Sequence, residues 1–227
     1  MTNKFSLLGV FTIVLLVVFS CKKDDEPFNL HYDYFPLQNG RYVTYEVNHI
    51  IIDDALGQDD TLHYYIKAKI GDTIIDNEGR IARSYLRYYR DSLNHPWQLH
   101  DIWTAIIENG RAELMEENQR TIKLVFAPDK FKEWNCNAYN TQDALDCYYR
   151  DIHVDAGING FSFDSTVTVE QEEFYSLVDY RRKYEQYAKG VGMYYKHYKH
   201  LRIANGDSTN VVKGTEIYMR LIGYGVE

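Results

Sequence analysis

Between Thr61 and Ile70 apolar and polar side chains alternate without a break. Leu62, Tyr64, Ile66, Ala68 and Ile70 stand against His63, Tyr65, Lys67 and Lys69. A period of two sends the first set to one face of a pleated strand and the second to the other. One dry face and one wet face is the pattern of an antiparallel sheet rather than of a parallel sheet covered by helices. The same period recurs along the chain. Val43, Tyr45, Val47 and Ile51 share a face within 41–52; Trp97, Leu99, Trp103, Ala105 and Ile107 do so within 97–107, with Asp101 as the exception; Phe161, Phe163, Val167 and Val169 do so within 160–169. Further strands are expected at 81–90, 111–116, 121–126, 180–188, 191–203 and 216–224.

Turn signals separate these runs. Asn39-Gly40, Asn77-Glu78-Gly79, Asn109-Gly110, Lys189-Gly190 and Asn205-Gly206 all offer residues that tolerate positive φ, and an Asn-Gly pair between apolar runs is the strongest short hairpin signal. Gly71-Asp72 predicts a tight turn into a short strand at 73–75. Residues 172–178 read equally as a helical turn or a strand. From 129 to 151 the pattern fails, which predicts a long loop with a short helix near 142–145. Twenty-one tyrosines suit half-buried pleated surfaces. The expected fold is all-β: an antiparallel meander of roughly ten to twelve strands forming a curved open sheet, half-barrel or barrel, as a single domain over 34–227.

The amino terminus has a different grammar. After Lys4 the stretch 5–19 is almost wholly apolar, and it stops at Cys21, followed by Lys22, Lys23, Asp24, Asp25 and Glu26. About fifteen residues is short for a bilayer span, which needs roughly twenty, and fits a signal-peptide core; an uncleaved membrane helix is the competing reading. Val18-Phe19-Ser20-Cys21 resembles the bacterial lipobox, which implies cleavage before Cys21 and acylation of that residue. Several acyl chains give stable anchoring where one does not. The expected division is 1–20 signal peptide, 21–33 lipidated cysteine and charged tether, then the domain. Cys-Lys-Lys-Asp-Asp-Glu resembles the export tag of surface-exposed Bacteroidetes lipoproteins, which implies an outer-membrane anchor with the domain outside the cell; a periplasm-facing domain is the alternative.

Two further segments, Tyr34-Phe35-Pro36-Leu37-Gln38-Asn39-Gly40 with Tyr45-Glu46-Val47, and Glu185-Gln186-Tyr187-Ala188-Lys189-Gly190-Val191-Gly192, resemble stretches of uncharacterised Bacteroidetes lipoproteins. That family supplies no activity to transfer. Its strand-rich pattern is similar to the open half-barrels of lipoprotein carriers, a likeness of fold that does not extend to function.

Without residues 1–20 the chain keeps all 33 acidic side chains and one fewer than its 25 basic ones. Such acidity disfavours nucleic acid, whose binding rests on phosphate neutralisation. With Cys21 acylated, Cys136 and Cys147 are left as a pair in a compartment where disulfides persist. Metal ligation by the two is the alternative, and no histidine lies between them.

Catalytic signatures are missing. There is no Walker loop, dinucleotide glycine motif or His-Glu-x-x-His, and Gly160-Phe161-Ser162-Phe163-Asp164 lacks the closing glycine of a nucleophile elbow. His197 and His200, three apart on a strand, point to opposite faces. Asp53, Asp54, Asp59 and Asp60 lack calcium-loop spacing and read as a solvated loop. The remaining bias is in the carboxy-terminal hairpin, where Tyr194, Tyr198, Lys196 and Lys199 form a candidate ligand-binding set; stacking rings with nearby cations would suit an anionic glycan, while packing on one face and solubility on the other is the plainer account. The expectation is a non-enzymatic, lipid-anchored module that binds a ligand or an envelope protein, with no cofactor and no metal. An outer-membrane assembly factor comes second and a hydrolase with a cryptic site third.

Overall fold

A computed structural model describes residues 28–227; the signal peptide and the acylation expected at Cys21 lie outside the described residues. Twelve strands form one antiparallel sheet. The first six are β1 (Arg41–Asp53), β2 (Gln58–Ile75), β3 (Ile81–Arg90), β4 (Gln98–Glu108), β5 (Arg111–Glu116) and β6 (Gln119–Val125). The second six are β7 (Glu133–Asn135), β8 (Asp146–Ile158), β9 (Phe161–Tyr175), β10 (Asp179–Ala188), β11 (Gly192–Ala204) and β12 (Asp207–Val226). The spatial order runs β6 to β1, then β12 back to β7. The long central strands β1 and β12 therefore join two meanders, and the sequence neighbours β6 and β7 lie at opposite edges.

Twist brings those edges round to meet. Ile122 N–H donates to the Cys136 carbonyl at 2.9 Å, the Trp134 indole donates to the Ile122 carbonyl at 3.2 Å, and the Asn140 amide to the Arg120 carbonyl at 3.0 Å. The result is a nearly closed barrel, which disposes of two sheet edges that would otherwise template aggregation. Its interior is packed across the diameter. Leu114 and Leu124 from one meander share a cluster with Tyr149, Val167, Val169 and Tyr187 from the other. The Cys136–Cys147 disulfide, with Cα atoms 6.0 Å apart, holds the seam loop to β8, and both cysteines are buried.

One end is closed by the chain's own lead-in. Residues 30–37, with a short 3-10 turn at Tyr32–Tyr34, run from the Ala127 N–H, which bonds the Leu30 carbonyl, to the Gly190 N–H, which bonds the Asp33 carbonyl. Tyr34 and Phe35 are buried there. On the opposite side the wall is low, because β5 and β6 have six and seven residues and β5 pairs only with Thr104–Glu108 of β4.

Several local expectations change. Gly71-Asp72 is not a turn: β2 continues to Ile75, and the two residues form an irregularity between Ile70 and Thr73 in its pairing with β3. No helix forms near 142–145; the region holds the short β7, and β8 begins at Asp146. The ambiguous 172–178 stretch is strand as far as Tyr175. Asp101 keeps the face of Trp103 and Ala105, where Arg87 meets it across the β3–β4 pair at 2.9 Å, and the register shift between Arg87 and Tyr88 takes Leu99 off that face. Leu99, on the far side of that shift, is half exposed.

Candidate binding cavity

The low wall opens onto a cavity of about 120 Å³ inside the barrel. Its floor is Phe35, Pro36 and Leu37 of the lead-in with Val191 and Gly192 from the turn between β10 and β11. Its walls are Val43, Tyr45, Ile66, Ala68, Ile70, Leu114, Met193 and Met219, with Tyr85 and Trp103 near the rim. β1, β2 and β4 contribute through the period-two faces read from the sequence. The Tyr85 and Trp103 rings lie parallel with centroids 6.1 Å apart, and the Arg87 guanidinium sits 4.0 Å over Trp103.

Charged groups interrupt this apolar surface. Lys123 Nζ on β6 lies 2.8 Å from Glu185 Oε1 on β10, and 3.6 Å from Glu116 at the end of β5. Lys196 Nζ approaches the same Glu185 oxygen at 3.3 Å, and the Tyr187 hydroxyl donates to the other oxygen at 2.6 Å. The Lys123 and Glu185 side chains are 8% and 1% exposed, so both charges sit inside the barrel. Burial alone would push the Glu185 carboxyl up; Lys123, Lys196 and the two hydrogen bonds outweigh it and bring it down to about 2. Burial would likewise lower Lys123, and the same pairing raises it instead. Burial, aided by Glu116, pushes the Tyr85 hydroxyl up to about 12, and burial lifts Tyr45 and Tyr187 well above the ordinary range. The tyrosines therefore remain neutral donors.

The Tyr34 hydroxyl, beneath the floor, bonds both His153 Nδ1 at 2.7 Å and Ser165 Oγ at 2.8 Å, and the His31 and His153 rings lie 4.5 Å apart. Ser165 Oγ is 3.3 Å from His153 Nδ1, within reach of a serine–histidine pair. The shorter bonds go to Tyr34, however, and among the described residues no carboxylate is hydrogen-bonded to His153 to orient it as a base. The group clasps the lead-in to β8 and β9.

The four residues of the expected ligand set are divided by a bulge. Gln186 pairs with Tyr195 and Tyr187 with Met193, which leaves Tyr194 as the extra residue of β11. Tyr194 is buried against Phe163, with centroids 5.0 Å apart, and takes no part in the cavity wall. Lys196 and Tyr198 share a face; Lys196 reaches the cavity, while Tyr198 lies 5.1 Å beneath Lys183 Nζ. Lys199, on the other face, pairs with Glu216 at 2.8 Å and covers the Tyr180 ring at 4.7 Å. His197 also bonds Glu216, whereas His200 is exposed. Of the acidic stretch, Asp53 pairs with Lys213 at 2.7 Å. Sequence reasoning passes over Lys123, Glu185, Tyr85 and Arg87 as site residues. The one signal within reach is a charge on an otherwise apolar strand face, which Lys123 between Ile122 and Leu124 does not show.

No protein-family description matches this chain, and no curated protein does. Among solved structures it is similar to a candidate exported protein of YmcC-like fold from Bacteroides fragilis. That similarity has a TM-score of 0.45 at 11% identity, covering 84% of this chain and 98% of the other. It is also similar to a candidate lipoprotein from Parabacteroides distasonis, with a TM-score of 0.39 at 14% identity, covering 85% of this chain and 98% of the other.

Proposed function

We propose that this chain is a lipid-anchored lipoprotein of the bacterial outer membrane, displayed on the cell surface, whose barrel binds a small ligand without transforming it. The observation that carries the reading is the cavity: a concave, mainly apolar space with a few convergent polar groups is the usual form of a small-molecule site. An assembly factor would instead call for an uncovered sheet edge, and β6 and β7 close on each other at the seam. The sequence around Cys21 supports the anchor, and the acidic residues after it support surface display.

Two measurements test the two parts. Cells labelled with a palmitate analogue should incorporate it into the natural chain and not into Cys21→Ala, and external protease should degrade the natural chain on intact cells. An unlabelled, unprocessed amino terminus removes the anchor. For the cavity, an apolar fluorescent probe should bind the purified domain, and Ala68→Phe, which fills the wall, should abolish binding while the domain remains folded by circular dichroism. Equal binding by both proteins removes the cavity as the site.

A further inference from the structure

The cavity's charge is opposite to that of the chain. Arg41, Arg87, Lys123 and Lys196 line it against Glu116 and Glu185, whereas the protein as a whole carries −8. Most of these charges are committed. Arg87 is held by Asp101 at 2.9 Å, and Lys123 by Glu185 and Glu116. Glu185 is saturated by Lys123, Lys196 and Tyr187.

Two of the four cations have no carboxylate to themselves among the described residues. Among the described residues Glu185 is the one ion-pair partner of Lys196, whose ammonium has three donors. The Lys196 side chain is 28% exposed, so a ligand can reach it. The Arg41 guanidinium donates to the Gly190 carbonyl, while its Nε is buried with no hydrogen-bond partner. A buried donor left without a partner is costly, and this one belongs to a residue of the cavity wall.

Resting on the binding reading above, we propose that the ligand is a small monoanionic amphiphile. Its carboxylate would dock on Lys196, and its apolar body would lie among Phe35, Leu37, Ile66 and Ile70. The size follows from the space: an apolar protein cavity of about 150 Å³ takes a benzene ring, so about 120 Å³ holds no more than about six carbons of a single chain beyond its carboxylate end and excludes a two-chain phospholipid. The sign follows from the spare cations. A neutral ligand of the same shape would leave those donors unmet, and a cation would face Lys196 directly.

The test compares octanoate, octan-1-ol and octylammonium by calorimetry on the full mature domain. Octanoate is expected to bind at least about tenfold tighter than octan-1-ol, the scale of one charge-assisted hydrogen bond, with octylammonium weakest. Lys196→Met should bring octanoate down to the level of octan-1-ol and leave octan-1-ol unchanged, while Lys196→Arg should keep the preference. Thermal melts of each variant report folding. If octanoate and octan-1-ol bind alike and Lys196→Met changes neither, the anionic ligand is refuted and the cavity reading survives. If none of the three binds and the apolar probe also fails, the cavity reading falls and this inference with it.

Discussion

Removing the Lys123 ammonium should unmask the largest electrostatic stress in the barrel. In Lys123→Met the Glu185 carboxylate stays buried and keeps only Lys196 at 3.3 Å and the Tyr187 hydroxyl. Breaking a buried pair from one side costs about 3–5 kcal/mol. The lower end applies because Lys196 remains. The carboxyl's own shift gives the same scale: a fall from 4.5 to about 2, at about 1.4 kcal/mol per unit, is about 3 kcal/mol of stabilisation of the charged form. For a domain of this size that lowers Tm by about 6–12 °C. Urea melts of Lys123→Met, Glu185→Gln and the double variant close a cycle. The double variant should lose much less than the sum, with a coupling of about 2 kcal/mol, because the introduced amide can still accept from Tyr187 and the one cation left without a partner, Lys196, is partly exposed. The pH dependence has a fixed sign. A depressed carboxyl stabilises the fold fully above 4.5 and loses that contribution as pH falls toward about 2, so the natural protein should weaken through this window more than Glu185→Gln. A cost for Lys123→Met below about 1 kcal/mol, or additive single effects, would refute the reasoning.

Replacing both Cys136 and Cys147 with serine frees a loop with a sequence separation of 11 and should cost about 3 kcal/mol on the chain-entropy account, read as a matching fall in Tm; an unchanged melt counts against it. Gly214→Ala should cost more than about 2 kcal/mol, since Gly214 has φ +149° and a Cβ there would lie 2.3 Å from the His200 carbonyl. A normal urea midpoint would mean that β11 and β12 approach less closely. Burial, then the neighbouring His31 and Lys189, depress His153, with Asp33 opposing; burial, then Lys189, depress His31, again with Asp33 opposing. Both rings should therefore titrate below 6.5 by NMR. The clasp should lose stability as pH falls from 6.5 toward those lower values, seen as faster amide exchange at Tyr34 and Phe35. Titration at or above the ordinary histidine value would contradict the packing.

Strand identity is legible wherever a period of two runs unbroken between glycine turns. Asn109-Gly110 and Asn205-Gly206 form turns with positive φ at all four residues, as their chemistry requires. What escapes the sequence is governed by bulges. β8 breaks register against β9 after Tyr149, Ile152 and Val154, so Asp146–Ile158 shows no clean alternation and its first residues read as loop. The extra residue Tyr194 shifts β11 by one position, which separates Tyr194 from Lys196 although their spacing predicts a shared face. A bulge has no required composition unless it needs glycine, and no residue marks this one. The Lys123–Glu185 pair spans 62 positions, and only closure of the barrel brings it together.

The segments 33–40 and 185–192 form one structural unit. Gly190 N–H bonds the Asp33 carbonyl at 2.8 Å, Lys189 Nζ lies 5.6 Å over Tyr34, and a Cβ on Gly192 would stand 3.5 Å from Pro36. Together they floor the cavity, and Glu185 at the head of the second segment is its charged centre. Stability is a poor reason for that charge. An apolar pair of similar volume in place of a buried ion pair is often neutral or stabilising, and a barrel interior is readily filled by aliphatic side chains. Lys123 neutralises Glu185, and Glu185 in turn fixes Lys196, which has donors to spare, at the wall of a cavity that is otherwise apolar. On this argument the interior charges are retained for what the cavity holds: apolar replacement of both Lys123 and Glu185 should leave the fold intact by thermal melt and alter the roughly tenfold preference for octanoate over octan-1-ol, whereas a role in stability alone would leave that preference unchanged.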